Sequence, residues 1–318
     1  MKVNKKILVR ALAVILGYAL ITVLLKSGML NRQYTSLLVP IGVNIMLAVS
    51  LNLVTGFLGE LSLGHAGFMS IGAYAGALFT LHTDLPDGLN IIVAMIVGGL
   101  MAALFGFVIG VPVLRLQGDY LAIVTLAFGE IIKSVLNALK FTNGPKGLSK
   151  IPLLSNYQHY TLVFVVMVIT VLIITNIVDS RHGRAVCSVR DNYIAAESIG
   201  ISVSRFKIMA FVIGAFFAGV AGVLYAHNVG IIKPTTFDYN KSIEILVIVV
   251  LGGMGSIRGS IISAIILTVL PEVLRGADNM RMLLYSIVLI AMMLFNQSGF
   301  KERMMERIAA SKQQKAGE

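Results

Sequence analysis

Long runs of apolar residues, separated by short polar connections, dominate the sequence. Two of them, ALAVILGYALITVLL (11–25) and TLVFVVMVITVLIITNIV (161–178), contain no charged residue. About 20 such residues form a helix long enough to cross the hydrocarbon core of a membrane. The runs are continuous rather than alternating, which argues against a transmembrane β-barrel. We therefore predict an all-α, polytopic helical membrane protein.

The positions of the apolar runs and of the charged connections predict about ten spans with both termini in the cytoplasm. We expect one transmembrane domain over residues 1–300, with a polar cytoplasmic loop at 179–207, and a charged cytoplasmic tail at 301–318. The predicted spans cover residues 7–25, 35–56, 67–81, 90–114, 119–139, 160–178, 208–226, 242–254, 259–272 and 281–296.

Composition and charge agree with this class. The chain is 57% hydrophobic and 13% charged, whereas soluble domains have about 45–50% apolar and 25% charged residues. The formal net charge is +11, but the basic residues gather at the amino end, between Arg181 and Lys207, and in the tail. This is the distribution of cytoplasmic loops under the positive-inside rule. We therefore expect membrane lipids, and no nucleic acid, as partners.

Two glycine-rich breaks interrupt the apolar pattern. The first break, TGFLGELSLGHAG (55–67), and the second break, LGGMGSIRGS (251–260), each contain glycines three apart, then serine and another glycine. Interrupted helices in the two halves of transporters point to the substrate pathway, whereas glycines also serve close helix packing. Both interpretations stay open for the first break, and packing is favoured for the second. The candidate pathway residues of the first break are Gly56, Gly59, Glu60, Ser62 and His65.

Ionisable residues inside apolar spans are candidates for function because their burial is costly. Glu130 lies near the middle of the fifth predicted span and is the sixth pathway candidate, but Lys133 follows one turn later. A structural ion pair within the helix is therefore the alternative. For His65, a hydrogen-bonded packing role is favoured over a ligand role.

The sequence offers no chemistry of its own for ATP hydrolysis. It contains no Gly-x-x-x-x-Gly-Lys-Ser/Thr phosphate-binding loop, and NGPKGLS (143–149) has the wrong spacing. We find no nucleophile–base constellation, and no His, Cys, Asp or Glu cluster with metal-ligand spacing. The single cysteine, Cys187, excludes an internal disulfide. We expect no catalytic residues, no metal and no cofactor in this chain.

The polar loop contains the stretch RDNYIAAESIG (190–200). Asn192 predicts the start of a short helix, because its side chain can accept hydrogen bonds from the first backbone N–H groups. Gly200 predicts the end of this helix in a left-handed conformation. A second cap at Ser204 is expected to start the seventh span. We therefore predict a short cytoplasmic helix between two spans.

Small and polar side chains make this predicted helix suitable for a protein contact. Ala195 and Ala196 add little bulk, so another surface can approach the backbone closely. Arg190 and Asp191 supply polar groups at its edge. The spacing alone equally fits an interfacial helix or a simple connector, and both interpretations stay open.

The stretch IAAESIG resembles the EAA-x-x-x-G pattern that ABC-importer permeases present to their ATPases, with Ile194 in the position of the glutamate. An ordered series of longer stretches over about 44–275 is similar to the branched-chain amino-acid ABC transporter permeases of the LivM type. These stretches are LNLVTGFLGELSLGHAGFMSIGAYAGAL, LQGDYLAIVTLAFGEIIK, TNGPKGL, IAAESIGISVSRFKIMAFVIGAFFAGVAGVLYAH and SIEILVIVVLGGMGSIRGSIISA. Glu60 departs from the glutamine of many relatives, and the Ile-x-Leu-Pro of the general motif is missing.

The resemblance implies a permease subunit that moves leucine, isoleucine and valine across a bacterial inner membrane by alternating access. It also implies a second homologous permease, two cytoplasmic ATPases that bind the ATP, and a periplasmic or lipid-tethered amino-acid-binding protein. The ATPase-coupling helix is then carried by Arg190, Asp191, Ala195, Ala196 and Gly200.

Three other functions stay open at this point. The same machine with another cargo, such as urea, short amides or other amino acids, fits because the separate binding protein largely makes the selection. A stand-alone proton-coupled carrier would use Glu130 and would take up its substrate without partners. A channel or a non-transporting membrane scaffold would have no ATPase partner.

Overall fold

The computed structural model shows a bundle of helices. It describes residues 32–116, 118–156, 159–275 and 286–290, together with Tyr18, Thr22, Met280 and Leu283. Within these ranges the regular structure is helical, which confirms the predicted all-α class there. The predicted spans at 7–25 and 281–296 lie largely outside the described residues, and the predicted tail at 301–318 lies entirely outside them.

The helices follow the order of the predicted spans. A π-helix at Leu53–Phe57 directly follows the α-helix that ends at Asn52, and 3-10 turns occupy Gly144–Lys146 and Pro234–Phe237. The α-helices are α1 (Arg32–Ser36), α2 (Leu38–Asn52), α3 (His65–His82), α4 (Asp87–Val113), α5 (Asp119–Ala138), α6 (Tyr160–Asp179), α7 (Arg181–Asp191), α8 (Tyr193–Ser198), α9 (Val203–Val229), α10 (Tyr239–Gly252) and α11 (Ile257–Val273).

Five of the described segments are long and apolar enough to cross a membrane: Tyr34–Phe57, α4, α5, α6 and α9. The chain is therefore a multi-pass helical membrane protein. The predicted spans at 67–81, 242–254 and 259–272 are also helical, as α3, α10 and α11. These three helices do not reach the combined length and hydropathy of the other five.

Helix α9 lies at the centre of the bundle and packs most extensively against α4 and α3, and also against α2. Glycines allow this close approach: a Cβ on Gly72 of α3 would overlap the backbone of Gly219 in α9. Likewise, a Cβ on Gly222 would overlap the carbonyl oxygen of Met69. Small residues serve membrane helices in this way because lipid tails leave packing as a main source of attraction between helices.

Helix α2 is held to α11 by two side-chain hydrogen bonds, one part-buried and one buried. Asn44 Nδ2 donates to Thr268 Oγ1 at 2.9 Å. Two turns later, Asn52 Nδ2 donates to Ser260 Oγ at the same distance. Buried polar groups in folded proteins are nearly always paired in this way, so both asparagines set the register between the two antiparallel helices.

The polar loop differs from its prediction in two respects. Residues before the predicted short helix form α7, whose N-terminus is capped by Ser180 Oγ. In addition, α9 begins at Val203 with Ser202 at the N-cap position, so the predicted cap at Ser204 and the predicted start at 208 are wrong. The hydropathy pattern places the start of the span after the charged residues Arg205 and Lys207. In the structure both belong to α9, and Lys207 is paired there with a largely buried partner.

Candidate functional site

The short helix predicted in the polar loop is α8. Its N-terminus is capped by Asn192, whose Oδ1 accepts hydrogen bonds from the backbone N–H groups of Ile194 at 3.1 Å and Ala195 at 3.0 Å. These bonds satisfy donors that the first helical turn leaves without a partner. The predicted cap at Asn192 is confirmed.

The C-terminus of α8 is closed by Gly200, which has a φ of 87°. The Gly200 N–H donates to the carbonyl oxygen of Glu197, and the Ile201 N–H donates to that of Ala196, each at 3.0 Å. This pair of bonds is the Schellman arrangement, which needs a left-handed residue at its turn. The predicted glycine stop is confirmed, and α8 has defined ends on both sides.

The two alanines of α8 face opposite ways. Ala196 is 2% exposed and packs into the hydrophobic core of this chain, whereas Ala195 is exposed. The outer surface carries large apolar side chains: Ile199 is 76% exposed and Ile194 is 64% exposed, with Tyr193 also exposed. Ala196 therefore seats the helix in its own chain rather than making room for a partner, and a partner would meet the outer surface.

Arg190 connects the polar loop with the first glycine-rich break. Its Nη1 donates to the carbonyl oxygen of Gly56 at 3.1 Å, while Nε and Nη2 donate to Asp191 Oδ1 at 2.9 and 2.8 Å. The side chain passes close to Gly59, where an added Cβ would lie 2.5 Å from Arg190 Cγ. Arg190 and Asp191 therefore act together, because the carboxylate orients the guanidinium that reaches the break.

The first break is an unwound segment with a π-helix before it. After the π-helix, residues 58–64 form no regular helix, and Gly59 has a φ of 81°. The segment is held by two neighbouring helices: the Leu63 N–H donates to Thr125 Oγ1 at 3.0 Å, and the Ala66 N–H donates to Ser242 Oγ at 3.1 Å. Single π-helical turns of this kind are frequent at functional sites.

The two breaks meet each other. The Gly255 N–H in the second break donates to Asn52 Oδ1 at 2.8 Å. A Cβ on Gly56 would overlap both this amide and the asparagine side chain. In the second break, a Cβ on Gly259 would overlap the backbone of Gly252, which is the close packing favoured from the sequence. The sequence reasoning missed Asn52, a polar residue in an apolar run directly before the break.

Glu60 does not stand alone in the first break. It forms an ion pair with Lys207 Nζ, at the beginning of α9. The side chains of Glu60 and Lys207 are 12% and 9% exposed, so the pair is largely withdrawn from solvent. The sequence reasoning missed Lys207, because its partner lies 147 residues away in the chain.

The two other candidates in this break differ in how their polar groups are satisfied. His65 is buried, and its Nε2 lies 2.8 Å from Ser50 Oγ, in agreement with the hydrogen-bonded packing role. Ser62 is 2% exposed, and its Oγ has no hydrogen-bond partner among the described residues. Their assignment to a translocation pathway stays a prediction.

Glu130 has two partners in the structure. Its Oε2 accepts from Lys133 Nζ at 2.9 Å, which is the ion pair within the helix that the sequence left open. Its Oε1 accepts from the backbone N–H of Tyr239, the first residue of α10, at 3.0 Å. A carboxylate at a helix N-terminus is stabilised there by the helix dipole. Glu130 thus ties α5 to α10, and its participation in transport stays a prediction.

Large cavities among the described residues are apolar. One of about 760 Å³ lies between α4, α6 and α9, and another of about 600 Å³ lies between α3, α4 and α5. Aliphatic and aromatic side chains form most of both walls, and none of the six predicted pathway residues contributes to either. Glu130 instead lines a smaller cavity of about 410 Å³ along α5. In the described part of the chain, no group of three His, Cys, Asp or Glu side chains could hold a metal ion.

Comparison of the sequence with known proteins places this chain in a family. The family model for the branched-chain amino acid transport system permease component matches residues 33–296. The high-affinity branched-chain amino acid transport system permease protein LivM of Escherichia coli K12 is 38% identical over 287 residues, which is 80% of this chain and 67% of that protein. No solved structure matches this chain.

Two further relatives extend the comparison. LivM of Salmonella typhimurium LT2 is 35% identical over 303 residues, covering 85% of this chain and 70% of that protein. The permease protein LivH of the same transport system in Escherichia coli K12 is 26% identical over 244 residues, covering 70% and 78%. The chain therefore belongs to the family of branched-chain amino acid transport system permease components.

Proposed function

We propose that this chain is the membrane-spanning permease subunit of an ATP-driven importer of branched-chain amino acids in a bacterial inner membrane. The family match over 33–296 and the likeness to the two LivM proteins support this function. The five long apolar segments support a chain that crosses the membrane several times. The cargo is inferred from the names of these relatives, because the described cavities carry no polar constellation that would select an amino acid.

The proposed complex contains several subunits. The likeness to LivH as well as to LivM supports pairing with a second, homologous permease. Two cytoplasmic ATPases would bind and hydrolyse ATP, since the sequence of this chain has no phosphate-binding loop. A periplasmic or lipid-tethered binding protein would deliver the amino acid. In this arrangement the chain is a transport subunit without catalytic residues or a cofactor of its own.

The observation that carries the proposal is the outer surface of α8. Ile194 and Ile199 are exposed on a short helix with defined ends, within the basic loop that is predicted to be cytoplasmic. Exposed apolar side chains outside the spans favour a protein partner, because burial of apolar surface drives association. The ATPase is the partner expected at this place from the resemblance of IAAESIG to the EAA-x-x-x-G pattern.

The arrangement of α8 also favours transmission of movement. Its inner side is seated by buried Ala196, and it lies between α7 and α9 in the chain. ATP binding would draw the ATPases together and displace α8, which would shift the bundle between outward-open and inward-open states. The ATPases can change this equilibrium only by as much as they bind the two states differently.

Reconstitution of the complete importer tests this function. This chain would be co-purified with the second permease and the ATPases, inserted into liposomes with ATP inside, and supplied with the binding protein and radiolabelled leucine outside. We expect uptake that requires ATP, the binding protein and both permeases, and that excess valine or isoleucine inhibits. Inhibition by urea or a short amide instead would indicate the other cargo. Uptake by this chain alone, driven by a proton gradient, would contradict the proposed importer.

A further inference from the structure

Two basic residues that flank α8 in the sequence contact the same five-residue segment. Arg190 precedes α8 and donates to the carbonyl oxygen of Gly56. Lys207 follows α8, in the first turns of α9, and pairs with Glu60. Residues 56–60, here called the receiver segment, are therefore contacted at one end by the residue before α8 and at the other end by a residue after it.

The receiver segment departs from regular α-helical geometry. It begins in the π-helix and contains Gly59 in a left-handed conformation, with a φ of 81°. Short π-helical turns are frequent at functional sites, and glycine adopts a left-handed conformation that a residue with a side chain would resist. The backbone N–H groups of Leu58 and Glu60 donate to carbonyl oxygens of the π-helix, and the contacts that reach the segment from the polar loop and α9 are those of Arg190 and Lys207. A displacement of α8 would therefore act, through Arg190 and Lys207, directly on residues 56–60 of the first break.

The receiver segment also touches the second break. Gly56 lies against the amide of Gly255, which is hydrogen-bonded to Asn52. Arg190 Nη1 itself lies near Gly255, at 3.6 Å from the position of a Cβ on that glycine. One displacement of Arg190 would therefore reach both glycine-rich breaks, and through the second break it would reach α10 and α11.

We propose that Arg190 and Lys207 are positioning residues that carry the displacement of the coupling helix to the receiver segment, so that residues 56–60 move with the ATPase cycle. The inference rests on the proposed function, because it requires ATPases on α8. It goes beyond it by naming the two contacts through which the movement enters the bundle and the segment that receives it.

The two contacts differ in burial, since the Arg190–Asp191 pair is exposed and the Glu60–Lys207 pair is not. Arg190 uses one edge of its guanidinium for Asp191 and another nitrogen for Gly56, a fork that the single ammonium of lysine cannot reproduce. The Glu60–Lys207 pair is largely buried, so loss of one partner would leave an unpaired charge. Each contact therefore depends on the particular side chains that make it, which is what substitution can test.

The test uses the complete importer in liposomes, with Leu61→Cys as a reporter in a Cys187→Ser background. Leu61 adjoins the receiver segment and is 37% exposed. The rate of maleimide modification would be compared between the nucleotide-free importer and the importer trapped with ATP and vanadate. In a separate assay without vanadate, the leucine transported per ATP hydrolysed would be measured. The variants are Arg190→Ala, Arg190→Lys and the double variant Glu60→Gln with Lys207→Met. The matched control is Arg275→Ala, which removes an ion pair with Glu272 at the end of α11.

We expect nucleotide to change the modification rate in the parent protein and in the control. In Arg190→Ala and in the double variant, this change should shrink about fivefold or more, the lower end of typical coupling between sites, with a matching loss of leucine per ATP. Arg190→Lys should keep only part of the nucleotide-dependent change in modification rate. The exchange of Glu60→Lys with Lys207→Glu should restore coupling better than the double variant does, because it recreates the pair.

Two outcomes are decisive against the inference. If the ATPases co-purify with both variants and modification still responds to nucleotide as in the parent, Arg190 and Lys207 do not carry the movement, and the inference is overturned while the proposed function stands. If the ATPases fail to co-purify with the parent protein, the proposed function is contradicted, and the inference is contradicted with it.

Discussion

Lys207 in the first turns of α9 forms a largely buried ion pair with Glu60 in the first glycine-rich break. This contact joins the end of the polar loop (179–207) to the segment that interrupts the bundle. Removal of one partner from a buried pair costs about 3–5 kcal/mol, whereas replacement of both by uncharged residues of similar volume is often near neutral. Single and double substitutions of this pair should therefore separate its contribution to stability from its contribution to transport.

For stability, Lys207→Ala should lower the thermal unfolding midpoint of the purified permease clearly, since Glu60 keeps an uncompensated charge. The double variant Glu60→Gln with Lys207→Met should unfold close to the parent midpoint. Differential scanning fluorimetry in detergent measures both. Equal midpoints for Lys207→Ala and the double variant would show that the charge pair is not what holds this contact.

Gly59→Ala is expected to disturb the receiver segment. The residue has a φ of 81°, which costs a residue with a Cβ about 1–2 kcal/mol, and the new Cβ would lie 2.5 Å from Arg190 Cγ. Leucine uptake should therefore fall while the protein still inserts. Gly88→Ala is the control, because nothing lies within 4 Å of a Cβ there, and it should transport normally. Normal uptake by Gly59→Ala would refute the close fit of Arg190 over this glycine.

Ile199→Asp and Ile194→Asp should weaken the attachment of the ATPases. Each side chain is mostly exposed, and full burial of an isoleucine contributes about 1.5–3 kcal/mol. The amount of ATPase that co-purifies with the permease should fall about tenfold or more for the pair of changes. Leu85→Asp, an exposed apolar position in the connection between α3 and α4, is the control. Undiminished co-purification would remove α8 as the docking surface.

Tryptophan at the two alanines of α8 should act in different ways. Ala196 is buried in the core of this chain, so Ala196→Trp overpacks it at a cost of about 1–3 kcal/mol, lowers the unfolding midpoint and uncouples ATP hydrolysis from uptake. Ala195 is exposed, so Ala195→Trp should leave the midpoint unchanged and affect only ATPase binding. Equal unfolding midpoints for the two variants, or normal transport by Ala196→Trp, would contradict this division of the helix.

Glu130→Gln distinguishes the importer from a proton-coupled carrier. The glutamate is partly exposed, and its partners are Lys133 and the N-terminus of α10. An exposed pair contributes about 0–1 kcal/mol, so ATP-driven uptake by the complete importer should persist with a small change in stability. Lys241→Ala, which removes the ion pair of Lys241 with Glu244, is the matched control. Loss of uptake in Glu130→Gln alone would support a transport role for this carboxylate.

The local sequence was sufficient to predict the class of protein and the two ends of α8. Apolar runs of helix length predict spans wherever they occur, because the membrane imposes one length and one polarity on each of them. Asn192 and Gly200 act on backbone groups two to four residues away. The capping prediction needed no knowledge of the rest of the chain.

Contacts over long separations were decided by the tertiary structure. Arg190 and Gly56 are 134 residues apart, and Lys207 and Glu60 are 147 residues apart, so no periodicity in the sequence relates them. The burial of Ala196, but not of Ala195, depends on which side of α8 rests on the bundle. The early start of α9 has the same origin, because a charged residue enters a buried helical turn only where a partner from another part of the chain neutralises it.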